Sequence, residues 1–529
     1  MRPFCWMLAA VWPALLWLQP MAWAAPEQPK TEQTATKTQT ARVVVGESQE
    51  YEPLAKLTYR GMLFELPASV AARLEGLGSY PVDLDRTTGE NTSLETGAAG
   101  NFQARVGLKF NSVRALIPFN IAAEYEHDVI TGPVGGEPEI AGEGYPNSEA
   151  LEHQLRKGYG RVSLGYFLHL SGGLMMSHWG LGLMSNDGAH GWAPGSAAFA
   201  DPRGGDRVLR VVLASGPVTR LGLFGAVGYD WVQGDDVMLE DDKARQLIGA
   251  FAIGRGLPTT IGFYAVWRTQ EARDGDITEV AAMDFHARTS HALTERLRLT
   301  AEMEAALIVG KTDLASSPDF PQKDVLQLGV AVRASLEYAG RLGGVLDFLY
   351  ASGDSNFDDG SQNGYKPDPN YEMGLMLYRH VLAGQTGRAA HTAADPNLSG
   401  VPNEDLDRFA TRGSPTNTVA FFPRAWWRPL VGLEVYGGPL FAFTASDNAD
   451  PLNTKLAGGM PRNALDGEPG RYLGTELDIG ARFQTLAWGT LLMVGVEGGM
   501  LIPGSALQRQ GGKEMGSVLG GRFLLGYNF

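Results

Sequence analysis

Apolar residues recur at every second position over most of this chain, and that period restricts its fold more than any motif does. Phe102, Ala104, Val106, Leu108 and Phe110 alternate with Gln103, Arg105, Gly107, Lys109 and Asn111. After a short link, Ile117, Phe119, Ile121, Ala123 and Tyr125 alternate with Asn120, Ala122, Glu124 and Glu126. The pattern returns at 162–170, 221–231, 297–307, 326–338 and 473–483. It closes the chain at 516–529 (GSVLGGRFLLGYNF), where Leu519, Phe523, Leu525, Tyr527 and Phe529 share one side. A helix would need apolar positions three and four apart. A period of two belongs to extended strands, whose side chains point alternately to opposite faces. Each strand thus has one apolar face and one face that is small, polar or charged.

The N-terminus predicts export. Arg2 precedes an apolar run at 4–18, and Ala22-Trp23-Ala24 places small residues where a signal peptidase cuts, so residues 1–24 read as a secretory signal peptide. Cys5 is the only cysteine, which leaves the exported chain without one and excludes a disulfide-built scaffold. Residues 25–58 are rich in Thr, Gln, Pro and Glu, the composition of a disordered periplasmic tail. The most apolar later stretch, 486–496, is strand-length and is followed at once by Glu497. A chain that enters a bilayer without helical spans must satisfy its backbone as a closed barrel. The net charge of −15 argues against a nucleic-acid partner.

The connections support that reading. Short links are expected near 112–116, 171–172, 215–219, 256–258, 289–296, 339–341, 427–430 and 484–489. Long ones are expected near 79–101, 128–158, 185–206, 232–244, 269–278, 309–324, 353–416, 445–470 and 502–515. Outer-membrane barrels have short periplasmic turns and long outer loops. The long segments are acidic, as at Glu137, Glu139, Glu143 and Glu149, whereas the short ones carry Arg114, Arg220, Arg255, Arg341 and Arg428. The expected fold is therefore all-β: an antiparallel transmembrane outer-membrane β-barrel of about 18 strands over residues 59–529. An even count with both ends periplasmic leaves 373–382 out of the wall, inside a long extracellular loop at 353–416 that folds inward as a plug or gate. Tyr125, Tyr229, Trp231, Trp267, Trp426, Trp427 and Tyr527 are expected near strand ends, in interfacial girdles.

The ending resembles the C-terminal strand of bacterial outer-membrane barrels, which implies that Phe523, Tyr527 and Phe529 act as the signal read by the barrel-assembly machinery. Ser177-His178-Trp179-Gly180-Leu181-Gly182-Leu183 with Asn186-Asp187-Gly188, Tyr350-Ala351-Ser352-Gly353-Asp354-Ser355-Asn356 and Leu473-Gly474-Thr475-Glu476-Leu477-Asp478 resemble stretches of alginate-export-type barrels and their myxobacterial relatives. That resemblance implies a gated lumen translocating a polysaccharide or other polar solute, with outer-membrane lipids and a periplasmic exporter component as partners. General diffusion of small solutes is the alternative, and a sealed structural or enzymatic barrel a further one.

The charged strand faces supply the lumen-lining candidates: Arg105, Lys109, Glu124, Glu126, Arg161, Asp230, Arg298, Glu302, Glu304, Arg333, Glu476, Asp478, Arg482 and Arg522. Their mixed sign departs from the arginine excess of an alginate pore. Trp179, Phe224 and Tyr365 are candidate sugar contacts. No nucleophile, base and acid converge in the sequence, so no enzyme is expected, and the nine histidines look scattered. Asp354, Asn356 and Asp358 have the alternating oxygens of a calcium loop without the acidic residue that completes one, so bound Ca²⁺ is the one cofactor to consider.

Overall fold

The alternating segments pair with their sequence neighbours into one continuous wall. The computed structural model describes residues 53–112, 119–131, 152–165, 167–239, 241–393, 405–487 and 489–529. The signal segment and most of the 25–58 tail lie outside these residues, as do the acidic positions expected at 137–149.

The first six wall strands are β1 (Met62–Leu66 and Ala68–Leu77, interrupted at Pro67), β2 (Gly97–Ser112), β3 (Phe119–Thr131), β4 (Glu152–Leu164), β5 (Leu168–Met176) and β6 (Arg207–Val218). Next come β7 (Leu223–Gly234), β8 (Lys243–Ile253), β9 (Thr259–Glu271), β10 (Ile277–Ala292), β11 (Leu297–Thr312) and β12 (Lys323–Tyr338). The last are β13 (Leu342–Ala351), β14 (Thr418–Leu430), β15 (Leu433–Thr444), β16 (Tyr472–Ala487), β17 (Thr490–Pro503) and β18 (Val518–Asn528). Each pairs antiparallel with the next, and β18 pairs back onto β1, from Gly520↔Leu77 to Asn528↔Ser69. The result is a closed 18-strand antiparallel β-barrel.

One rim carries both ends of the wall and the short turns. The other carries the long connections, of which 177–206, 352–417 and 445–471 are the largest described. The strand expected over 162–170 is in fact two. β4 ends at Leu164, Gly165 follows with φ +58°, and β5 starts at Leu168, so the link expected at 171–172 lies inside β5. The alternation passes through the turn unbroken because Val162 and Leu170 are cross-strand partners on the same outer face. Ala55–Tyr59, all but its last residue assigned above to the disordered tail, is also a strand. It pairs with Met62–Leu66, as Lys56 does with Glu65 at 3.1 Å.

The two faces of the wall reverse the polarity of a soluble protein. Outward Leu209, Val211 and Leu213 are 44–50% exposed, while Arg210 and Asp230 are turned inward and Asp230 is fully buried. Only hydrocarbon covers a belt of this kind favourably, as in a transmembrane barrel.

The apolar core lies inside the barrel. The connection 352–417 contributes Tyr365, Met373, Leu375, Met376, Leu377, Tyr378 and Val381, all within 5% of complete burial. Its 373–382 stretch is not a wall strand. The chain there turns helical, over Leu377–Leu382 and then Ala383–Ala393. Leu183 and Phe199 from 177–206, Tyr80 and Val82 from the hairpin Tyr80–Asp85/Glu90–Leu94, and Leu507 and Met515 from the last connection complete the cluster. They pack on the inward side chains Phe422, Tyr436, Leu440, Leu501 and Val518.

Candidate functional site

Two inward glutamates anchor two connections inside the lumen. Glu304 on β11 accepts backbone N–H bonds from Leu183 (3.0 Å) and Met184 (3.3 Å), and another from Leu181. Glu476 on β16 accepts from Met376 (2.9 Å) and Leu377 (2.7 Å), and another from Leu375. In both cases a carboxylate gathers successive amides of a tight turn, the arrangement that suits anions at helix starts. A glycine makes room for each. Gly180 (φ +57°) would place a Cβ 2.5 Å from Glu304 Oε2, and Gly374 (φ +76°) one 2.8 Å from Glu476 Oε1. Further wall residues hold the 177–206 connection: Arg424 donates to Ala197 O (2.9 Å), Glu434 accepts from Gly195 N (2.9 Å) and Arg156 donates to Asp187 O (2.6 Å).

The remaining inner-face charges are mostly paired. Arg105 binds Asp128 at 2.7 Å, Arg156 binds Glu126 at 2.8 Å, and Arg210 binds Asp230 at 2.7 Å. Arg333 and Arg424 share Asp347, while Arg482 (2.7 Å) and Arg522 (2.5 Å) share Glu497. Glu302 faces His286 at 2.9 Å, and Glu124 lies 3.4 Å from Lys157 and 3.7 Å from Lys109. Asp478 is 5% exposed and lies against Glu476, and neither of its carboxylate oxygens meets a donor among the described residues. Of the fourteen lumen-lining candidates, Asp230, Glu304, Glu476, Asp478, Arg482 and Arg522 are buried by loops or partners and touch no open space.

Open space on the inner face lies toward the turn rim, and its exposed charges are basic. Lys109 (45% exposed), Arg288 (46%) and Arg333 (36%) reach it, as do Arg161 and Arg298. Of the acids there, Glu124, Glu126 and Glu302 are 13–18% exposed and Glu65, opposite Lys109, is 23% exposed, while Glu337 lies half-buried opposite Arg298.

Other candidates have packing roles. Trp179 donates its Nε1–H to Asp284 at 3.1 Å and stacks on Tyr264, and Tyr365 is completely buried with its hydroxyl toward Leu183 O. Phe224 lies under Arg255. Trp426 is not an interfacial residue: it points inward, 3% exposed beneath Arg428, while Trp427 faces outward. Phe523 is on the outer face, and the Tyr527 and Phe529 rings meet edge-on at 4.5 Å. Asp354 accepts from Asn356 N (2.9 Å) and Asn363 N (3.0 Å), Asn356 accepts from Asp358 N (3.2 Å), and Asp358 pairs with Lys455 (2.7 Å). These oxygens close the turns of their own loop.

Arg156, Arg424 and Glu434 were missed from sequence. Arg156 lies in a stretch read as loop, and a register shift between Leu155 and Lys157 breaks the alternation of β4 there, so that Arg156 and Lys157 both face inward. His178 and His190 were missed as a pair because eleven residues of irregular chain lie between them. The folded loop stacks their rings at 3.8 Å.

The fold and its lining define a bilayer-type β-barrel with a charged, partly filled lumen. Solved structures of similar layout include Pseudomonas aeruginosa OccK5 (OpdH), 12% identical with TM-score 0.46, and OccK1 (OpdK), 10% identical with TM-score 0.49. Each alignment covers 88% of this chain and 98% of the other. No family model matches the chain and no curated protein matches it, so the likeness to alginate-export-type barrels has no family-level match behind it.

Proposed function

We propose that the protein is an outer-membrane channel for small polar solutes, with a preference for those bearing acid groups. One observation carries the reading: inside a wall whose exterior suits lipid, basic groups outnumber acids among the inner charges open to solvent, with Lys109, Arg161, Arg288, Arg298 and Arg333 against the partly open Glu65 and Glu337. A lumen lined by one sign of charge between low-dielectric walls concentrates the opposite ion. The loop-side half is packed with apolar side chains from several connections, which speaks against passage of a polymer. The chain reads as a conduit rather than an enzyme.

Planar bilayers holding the full-length protein under a KCl gradient test this. Conductance with a reversal potential on the anion side is expected, and replacing Lys109, Arg161 and Arg298 by Gln should move that potential toward the cation side. Silent bilayers would favour a sealed barrel. Loss of surface polysaccharide in a deletion strain would return the argument to polymer export.

A further inference from the structure

The connection 177–206 carries a constellation that neither wall nor plug requires. His178, Asp187 and His190 converge so that one ligand-type atom of each lies within 4.8 Å of the others. Asp187 Oδ1 stands 2.9 Å from His190 Nδ1 and 3.8 Å from His178 Nδ1. His178 Nδ1 is sealed from solvent and has no hydrogen-bond partner among the described residues. A buried ring nitrogen left without a partner is costly, and a metal ion is one species that would satisfy it.

We infer that His178, Asp187 and His190 form a binding site for a divalent transition-metal ion. Two imidazoles and one carboxylate suit Zn²⁺, Ni²⁺ or Cu²⁺ and not the all-oxygen preference of Ca²⁺ or Mg²⁺. Ligand bonds of about 2.0–2.1 Å at a tetrahedral centre set ligand atoms about 3.3 Å apart, and the 2.9 and 3.8 Å separations bracket that value. The two rings stack at 3.8 Å, so they turn toward Asp187 Oδ1 to enclose the ion. Three protein ligands leave a fourth position for water, and the His190 side chain, 59% exposed, leaves a way in.

The loop is held for the purpose by bonds that do not involve the three ligating groups. Asn186 Oδ1 accepts from Gly188 N (3.0 Å), Asp206 N donates to Asn186 O (2.9 Å), and Arg156 donates to Asp187 O (2.6 Å). Gly188, with φ +64°, passes so close to Gly204 that a Cβ would come within 2.5 Å of its carbonyl oxygen.

The test is Zn²⁺ binding to the full-length barrel in detergent, free of any polyhistidine tag, followed by calorimetry. It does not depend on what the lumen conducts. One Zn²⁺ per chain is expected. His190→Ala, at an exposed position that leaves folding intact, and His178→Gln should each weaken binding by at least the about 10–100-fold that loss of groups merely orienting a ligand costs. The protein has a second close pair, His127 and His153 at 3.3 Å on β3 and β4. Replacing both by Ala should leave the isotherm unchanged. Absence of binding, wild-type binding in His190→Ala, or loss in the His127/His153 variant would overturn the assignment.

Discussion

Replacing Glu476 by Ala should release the plug while leaving the wall intact. The carboxylate holds three consecutive buried amides, of Leu375, Met376 and Leu377. A hydrogen bond to a charged partner contributes about 1.5–3 kcal/mol, so three set a gross loss of about 4.5–9 kcal/mol. Water entering the vacated volume would recover part of it, leaving on the order of 3 kcal/mol, which raises the undocked population about 100-fold. The wall does not depend on this side chain, since β16 keeps its ladders to β15 and β17 through backbone bonds. Glu476→Gln, which keeps one acceptor oxygen, should fall between wild type and Ala. Limited trypsin digestion reads the effect directly. Arg379, 6% exposed, becomes a cleavage site only when the helical segment leaves the lumen. Digestion at Arg379 and Arg388 should accelerate about 100-fold in the Ala variant, with the heat-modifiable barrel still present on gels. Unchanged cleavage would show that apolar packing alone seats the plug and that the three amide bonds contribute little.

Three further outcomes follow from the same structure. Glu497→Ala leaves Arg482 and Arg522, each 3% exposed, without their shared carboxylate; it should cost about 3–5 kcal/mol, read from the urea midpoint of the folded barrel. Phe529→Ala should lower the yield of assembled barrel in the outer membrane while changing the urea midpoint little, because the ladder bond from Phe529 N to Ala68 O (2.8 Å) is backbone; equal losses in both would count against a recognition role. Burial, then Asp83, raises Asp450 to about 7 in the folded chain against about 3.8 unfolded, so the folded state holds its proton more tightly. That stability is fully present below about pH 3.8 and lost as pH rises through about 7. Asp450→Asn keeps the helix cap, which accepts from Asn453 N at 2.8 Å, and should shrink the loss of thermal stability between pH 5 and pH 8.

Wall and interior differed in how far the sequence revealed them. The wall was legible because lipid on one side and polar groups on the other impose one rule at every position, and strands as different as 102–110 and 326–338 obey it. The rule failed at Gly165, where a turn preserved the alternation and so concealed itself. The interior was not legible, because what fills it arrives from far along the chain. Glu304 reads as a pore charge until Leu181–Met184 close on it, and Trp426 reads as an interfacial residue until the register of β14 turns it inward. His178 and His190 belong to no periodic element, so only the folded loop makes them neighbours.

The reversed polarity of the wall also inverts the usual guide to mutational tolerance. In most proteins an exchange of charged residues is cheap and an exchange of core hydrophobics is costly. Outside this wall Val211, Leu213 and Ile479 touch no interlocking partner across the surface they present, so Val, Ile, Leu or Phe should serve there almost interchangeably. Inside, even Arg522→Lys would lose the geometry by which a guanidinium shares one carboxylate with a second arginine. Drift in this protein should therefore accumulate among its most hydrophobic residues, while its buried ions stay fixed.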